Sequence, residues 1–446
     1  MSAGLFAGER AVVLGLGVSG NAAARALAAE GAAVTVSEAD AVEGWRLSEL
    51  EDLGVRVLAG GHRPEHLDGA TLVVASPGIP PHASVIGWVR ERDLPLWGEL
   101  ELGAHLATAP YLAVTGTNGK TTTTGMIAAC LRASGLDAVA CGNIGHPFPA
   151  AARERHDVLV VEASSFQLAL QRSFHPAVSV LLNVAADHLD WHRSFEAYAA
   201  AKARVFENQT EDETHVGNRD DPVAAAISAR ARCRVRWFTI GPPAPAEVGY
   251  AETELVAAGP TAVRLGPPAV RSAGMRADAA AAAAACLALG TEPDAVQAGL
   301  RTFRPEPHRG EVVAEIRGVA FVDDSKATNP HAALAAAGDL QDAVLIAGGR
   351  AKGVDLSPLR SLAPRLRGVV AIGEAADELV SIFQDGVPAR KAGSIEEAVR
   401  SAFELAPAGG TVLLAPACAS WDMFRDYRER GERFAAAARR LAEGER

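Results

Sequence analysis

The 446-residue chain has five cysteines, an odd number, and no C-x-x-C pair. That excludes a disulfide framework and an obvious zinc ribbon, and it favours a reducing compartment. No apolar run reaches the roughly 18 residues that a membrane helix needs, and the stretch 279–289 is mostly alanine. The first residues carry no basic region followed by a long apolar one, so no signal peptide is expected. Positive charge is also short: the net charge of −11 argues against a general nucleic-acid or anionic-membrane binder. An acidic protein can still hold phosphates at local basic or backbone sites. A soluble cytoplasmic protein is the expectation. At roughly 150 residues per domain, the length suggests about three domains.

Short apolar runs alternate with alanine-rich helical stretches, the pattern of an α/β chain. Strands are expected at 11–14, 33–36, 72–75, 111–114, 158–161, 178–182, 319–322, 343–347, 369–372 and 411–414. Residues 107–110 read as a connector, and 241–270 as loops or a small β-rich excursion. A long alanine helix is expected from about Asp278 to Leu289. The Pro-rich stretch 304–308 marks a second boundary near 309. The expected domains are 1–107, 108–308 and 309–446.

Thr115-Gly116-Thr117-Asn118-Gly119-Lys120-Thr121-Thr122 lies between an apolar strand and a helix. Glycines let backbone amides approach a phosphate, and the helix N-terminus adds partial positive charge. Lys120 can reach the outer phosphates and the Thr121 hydroxyl can ligate magnesium. The spacing departs from G-x-x-x-x-G-K-[ST], since Val114 stands where that pattern has its first glycine. Glu162 ends a downstream strand, where a carboxylate beside a phosphate loop is placed to hold magnesium. His188 and His192 stand at i, i+4, metal-ligand spacing if helical, but no third soft ligand is near and the loop calls for a hard cation. Taken alone, Lys202 is a surface lysine.

Gly15-Leu-Gly17-Val18-Ser19-Gly20 is a full G-x-G-x-x-G between a strand and a helix, and Glu38 ends the next strand about 20 residues on. This is a pyrophosphate cradle. By itself it does not distinguish NAD from a UDP-sugar, so an NAD(P) oxidoreductase competes with a nucleotide-sugar enzyme. Near the third domain's strand ends stand Asp324, Lys326 and Thr328, then Lys352, then Ser420. Asp324 can hold a ribose and Lys326 a phosphate or carboxylate. Lys352, Thr328 and Ser420 offer a cation and two hydroxyls to a dicarboxylate. Cys418 has no evident histidine partner and reads as a small buried thiol.

The loop Thr-Gly-Thr-Asn-Gly-Lys-Thr, with the elements just described following in order, resembles the Mur ligase family; folylpolyglutamate synthetases share the loop. The fold implied is three α/β domains: Rossmann-like, P-loop ATPase-like, and Rossmann-like again. The resemblance is to the member that adds glutamate. It implies ATP and magnesium, with UDP-N-acetylmuramoyl-L-alanine and D-glutamate as substrates and an acyl-phosphate intermediate. It assigns ATP contacts to residues 116–122, Arg309 and Asp324. It places magnesium at Thr121 and Glu162 with His188 close by, and a second magnesium at a carbamylated Lys202. It turns Gly17, Val18, Ser19, Glu38 and Ser76 toward the UDP moiety. Asn143, Ser164, Ser165 and Gln167 fall to the sugar and its arm. Lys326, Thr328, Lys352, Ser420 and Tyr427 fall to the amino acid. A monomer that binds neither nucleic acid nor membrane is expected. Two departures stand out. Ala39-Asp40 replaces a Thr-Arg pair found in some members near the uracil. Gly274-Met-Arg-Ala-Asp278 replaces a His-Asn-x-x-Asn element, leaving only Asp278 in a matching place. A non-catalytic nucleotide-binding regulator is the remaining alternative.

Overall fold

The computed structural model describes residues 4–259, 262–266 and 272–444. The first sheet contains β1 (Arg10–Leu14), β2 (Ala33–Ser37), β3 (Arg56–Leu58), β4 (Leu72–Ala75) and β5 (Leu96–Gly98), in the order β3-β2-β1-β4-β5, all parallel. The second sheet begins with β6 (Tyr111–Thr115), β7 (Ala138–Gly142), β8 (Val158–Glu162), β9 (Val178–Leu181), β10 (Thr214–Asn218) and β11 (Arg234–Phe238). It ends in β12 (Val248–Ala251), β13 (Glu254–Ala257) and β14 (Val263–Gly266). Its order is β14-β13-β12-β11-β10-β9-β6-β8-β7, antiparallel only at the β12–β13–β14 end. The third sheet holds β15 (Glu311–Ile316), β16 (Val319–Asp323), β17 (Ala343–Gly348), β18 (Leu366–Ile372), β19 (Ala389–Lys391) and β20 (Thr411–Leu414). Its order is β15-β16-β20-β17-β18-β19, parallel except for the edge hairpin β15–β16.

The chain clusters into two compact units. The first contains the described residues of Met1–Val184, Trp191–Ala269 and Asp278–Phe303; the second contains Ala185–Asp190, Val270–Ala277 and Arg304–Arg446. The first two sheets lie in the first unit and the third sheet in the second.

Parallel strands covered by helices on both faces read as continuous apolar runs, and β4, β8, β9 and β17 are buried at every position. The 241–270 stretch resolves into β12, β13 and β14; its residues 260–261 and 267–270 lie outside the described ones. The alanine helix starts earlier than the sequence suggests, at Ala273, and ends at Ala288. A helix apolar all round is a buried helix, and Asp278–Cys286 is buried throughout.

Candidate active site

β6 ends at Thr115 and the helix Lys120–Ala133 begins five residues later, so the loop 116–119 is tight. Gly119 has φ +84°, a left-handed conformation, and a Cβ there would lie 2.1 Å from Asp278 Oδ1. Only glycine fits both demands. The first-turn amides of the helix therefore open onto the loop, as an anion site requires. Asn183, just past β9, pins the loop: its carbonyl accepts from Thr117 N at 2.9 Å and its side chain accepts from Asn118 N at 2.9 Å. Lys120 Nζ folds back onto the carbonyls of Gly116 (3.0 Å) and Thr117 (2.9 Å). Thr122 is buried beneath.

Glu162, at the end of β8, is 2 % exposed. Its Oε2 accepts from the Thr121 hydroxyl at 2.8 Å and its Oε1 from Asn143 Nδ2 at 2.8 Å. Magnesium takes one or two carboxylates, hydroxyls, substrate phosphates and water, so Thr121 and Glu162 fit it. Among the described residues, no three His, Cys, Asp or Glu side chains gather as a soft-metal site would need. Lys202 is no surface lysine: it is 1 % exposed, and its Nζ donates to Gly116 O at 2.6 Å and stands 4.6 Å from the Tyr198 ring centre. Tyr198 in turn shares a 2.9 Å hydrogen bond with Thr117.

The helical premise behind His188 and His192 does not hold. The helix there is only Leu189–His192, and His188 precedes it at φ +53°. His192 is buried, hydrogen-bonded to Ser165 at 2.9 Å and stacked on Phe166. Asp278 lies inside the alanine helix, where its Oδ1 accepts from the Thr123 hydroxyl at 3.1 Å. It supports the phosphate loop from behind.

In the first sheet, Gly17 precedes the helix Val18–Ala29, and a Cβ on Gly17 would meet nothing within 4 Å. That leaves room for a ligand to approach the backbone. Gly20 is different: a Cβ there would lie 1.9 Å from Gly15 O and 2.8 Å from Ser76 Oγ. Ser76, after β4, donates to Gly15 O at 3.3 Å. Glu38 accepts from the backbone N–H groups of Leu16, Ala39 and Asp40. It thereby ties the end of β2 to the glycine turn. A cleft of about 630 Å³ runs beside this helix, lined by Gly17, Val18, Arg25, His146 and Arg153 among others. Ser164 and Gln167 form a reciprocal cap on the helix Ser165–Ala169.

The second unit brings together its own set. Asp187 is 5 % exposed, and its carboxylate accepts from Lys352 Nζ at 2.9 Å, His188 N at 2.9 Å and Asn329 Nδ2 at 3.1 Å. Lys352, His188 and these hydrogen bonds outweigh burial and hold its carboxyl below the ordinary range. Asn329 also caps the helix Pro330–Ala337, directly after Thr328. Lys326 Nζ lies 3.9 Å from the Tyr427 ring centre. Burial pushes the Asp324 carboxyl up to about 7, against the nearby Arg309 guanidinium. The buried Arg430 donates to Ser325 Oγ, Ser325 O and Cys418 O, tying together the chain beside Asp324 and the chain before Ser420. Burial pushes the Cys418 thiol up to about 12, so it is no nucleophile near neutral pH.

Residues 9–98 match the Mur ligase MurD-like N-terminal domain, 114–260 the Mur ligase middle domain, and 308–418 the Mur ligase glutamate ligase domain. A UDP-N-acetylmuramoylalanine--D-glutamate ligase of Frankia casuarinae is 44% identical over 97% of this chain and 94% of its own length. This chain belongs to the Mur ligase family. A ligase of the same name from Streptomyces avermitilis is 43% identical over 97% of this chain and 98% of its own. Among solved structures, a MurF ligase from Thermotoga maritima, in complex with ADP, shares the fold with TM-score 0.61 and 19% identity, over 93% of this chain and 96% of its own. Around the candidate site this Mur ligase places several residues that composition and spacing did not single out: Asp187, Asn183, Tyr198 and Arg430. Asp187 and Asn183 carried a signal, being polar residues just past an apolar strand. Tyr198 and Arg430 sit within helical stretches, where nothing local marks them.

Proposed function

We propose that this Mur ligase joins D-glutamate to UDP-N-acetylmuramoyl-L-alanine at the expense of ATP, a cytoplasmic step of peptidoglycan precursor synthesis. The observation that carries the chemistry is the loop Gly116–Gly119 with Lys120, Thr121 and Glu162 at its mouth. The near-full-length likeness to glutamate-adding ligases supports the substrates.

In this reading the domains are 1–107 for the UDP-sugar, 108–308 for ATP and 309–446 for the amino acid. Residues 116–122, Arg309 and Asp324 hold ATP. Lys120 swings from the loop carbonyls to the γ-phosphate and offsets charge as the phosphoryl group moves to the substrate carboxylate. Thr121 and Glu162 would hold magnesium, which would supply positive charge against the phosphate oxygens. His188 and Lys202, if carbamylated, would hold a second ion; carbamylation would turn the amine into an oxygen ligand. The first-sheet residues Gly17, Val18, Ser19, Glu38 and Ser76 face the UDP, and Asn143, Ser164 and Gln167 the sugar arm. Lys326, Thr328, Lys352, Ser420 and Tyr427 receive D-glutamate, whose amine attacks the acyl phosphate. Activation is needed because a carboxylate is a poor electrophile at neutral pH.

The test is phosphate release from ATP and magnesium with UDP-N-acetylmuramoyl-L-alanine, with D-glutamate, L-glutamate, glycine and diaminopimelate run in parallel. Release with D-glutamate alone, with the amide product seen by mass, is the expected result. Release with another amino acid would overturn the assignment of the third domain. No release with any of them would overturn the ligase reading, and nicotinamide binding would then be measured at the Gly15–Gly20 turn.

A further inference from the structure

Two glutamates open the helix Glu99–Leu106, and both are 1 % exposed. They are treated very differently. Glu101 receives the backbone amides of Arg172 and Ser173, the Ser173 hydroxyl and a ring nitrogen of His105. It is a well-paired structural carboxylate. Glu99 Oε2 receives a hydrogen bond from Gln167 Nε2 at 3.3 Å. Its Oε1 is buried without a hydrogen-bond partner among the described residues.

Four groups surround the Glu99 carboxyl, each from a different element. The Ser19 hydroxyl approaches from the helix after the glycine turn, Gln167 from the helix Ser165–Ala169, and the Phe148 backbone from the short helix Phe148–Ala151. The Cys141 thiol of β7 feels its charge and is pushed up to about 12, by burial first and by Glu99 second. None is a cation. Burial therefore raises the Glu99 carboxyl above its ordinary value, with only these hydrogen bonds opposing. With no cation beside it, burial favours the neutral acid over the carboxylate. A neutral carboxyl is also a donor. Ionised, it would repel a pyrophosphate beside Ser19; neutral, it would not.

We propose that Glu99 is a positioning residue of the UDP-sugar site: it sets the Gln167 amide and the Ser19 hydroxyl on the ligand. The proposal rests on the UDP-sugar reading of the Gly15–Gly20 turn. Neither the glycine fingerprint nor the phosphate loop contains Glu99, and the resemblance assigns it no role.

The experiment compares the whole enzyme with Glu99→Gln and Glu99→Ala between pH 6 and 9. It measures KM for UDP-N-acetylmuramoyl-L-alanine, KM for ATP, kcat, and calorimetric binding of UDP-N-acetylmuramoyl-L-alanine. Glu99→Ala should raise KM for the UDP-sugar about tenfold while KM for ATP and kcat stay within about twofold. Glu99→Gln, an uncharged near-isostere, should restore most of that affinity. Wild-type KM for the UDP-sugar should rise toward pH 9 as the acid ionises, and Glu99→Gln should abolish the rise. A KM for ATP that moves equally, or a Gln variant no better than Ala, overturns the proposal. If Glu99→Ala does not fold, the pH profiles decide alone, and parallel profiles for wild type and Glu99→Gln overturn it. A wild-type enzyme that binds no UDP-sugar overturns the underlying reading and the proposal with it. Binding with parallel profiles overturns the proposal alone.

Discussion

Asp324 shows how one residue's surroundings set a property of the fold. It keeps a partly accessible surface, yet the protein packed around it pushes its carboxyl up to about 7. The folded state thus holds a proton that the unfolded chain releases near pH 4. Its contribution to stability is full below that value and is lost as pH rises through about 7. Asp324→Asn, always neutral, should flatten the stability profile between pH 4 and 8. It should be more stable than wild type at pH 8 by on the order of 1 kcal/mol, after discounting for partial exposure. Thermal melts at pH 5 and pH 8 check this; parallel shifts in both proteins would sink it. In the proposed reaction, Lys120 is the residue on which the chemistry turns. Lys120→Ala should lower phosphate release by about 10²-fold or more, with circular dichroism unchanged. Undiminished turnover in that variant would mean the loop is not catalytic.

At the scale of elements, the helix Lys120–Ala133 carries the phosphate loop and is seated by its neighbour Pro293–Thr302. Gly299 makes that seat: a Cβ there would stand 2.3 Å from Cys130 Cα and 2.5 Å from its nitrogen, both backbone atoms that cannot move aside alone. Gly299→Ala should cost about 2 kcal/mol in urea unfolding and reduce turnover as the loop shifts. An Ala variant as stable as wild type would show the contact to be looser than drawn. Elements of this kind were legible in sequence where apolar runs met glycine or proline. β4 and β20 follow the expected limits, and most other expected strands differ at their ends by a residue or two. β3, β5 and β19 were not legible, being three residues long, and β10 (Thr-His-Val-Gly-Asn) mixes polar residues with glycine. The alanine helix begins before the alanine run itself, at Ala273.

At the scale of the whole molecule, the second unit holds a complete sheet between Glu311 and Leu414, with apolar clusters on both faces. The fragment 304–446 should therefore fold alone and melt cooperatively. It should be less stable than the same unit in the full chain, because it lacks Asp187, the partner of Lys352 and Asn329. A fragment without a cooperative melt would show that 185–190 and 270–277 are required to nucleate the unit.

The alternation of strand, glycine turn and helix, the phosphate loop, the pyrophosphate cradle and the family itself were all determined by the sequence, because each is a local pattern of neighbouring residues. The tertiary structure alone decided that Asp187 meets Lys352 across 165 positions, that Asp278 meets Thr123 across 155, and that Glu99 meets Gln167 across 68. Periodicity records which face a side chain takes, not which distant side chain will face it. In each case a buried polar group must find its partner in space, among residues far away in the chain.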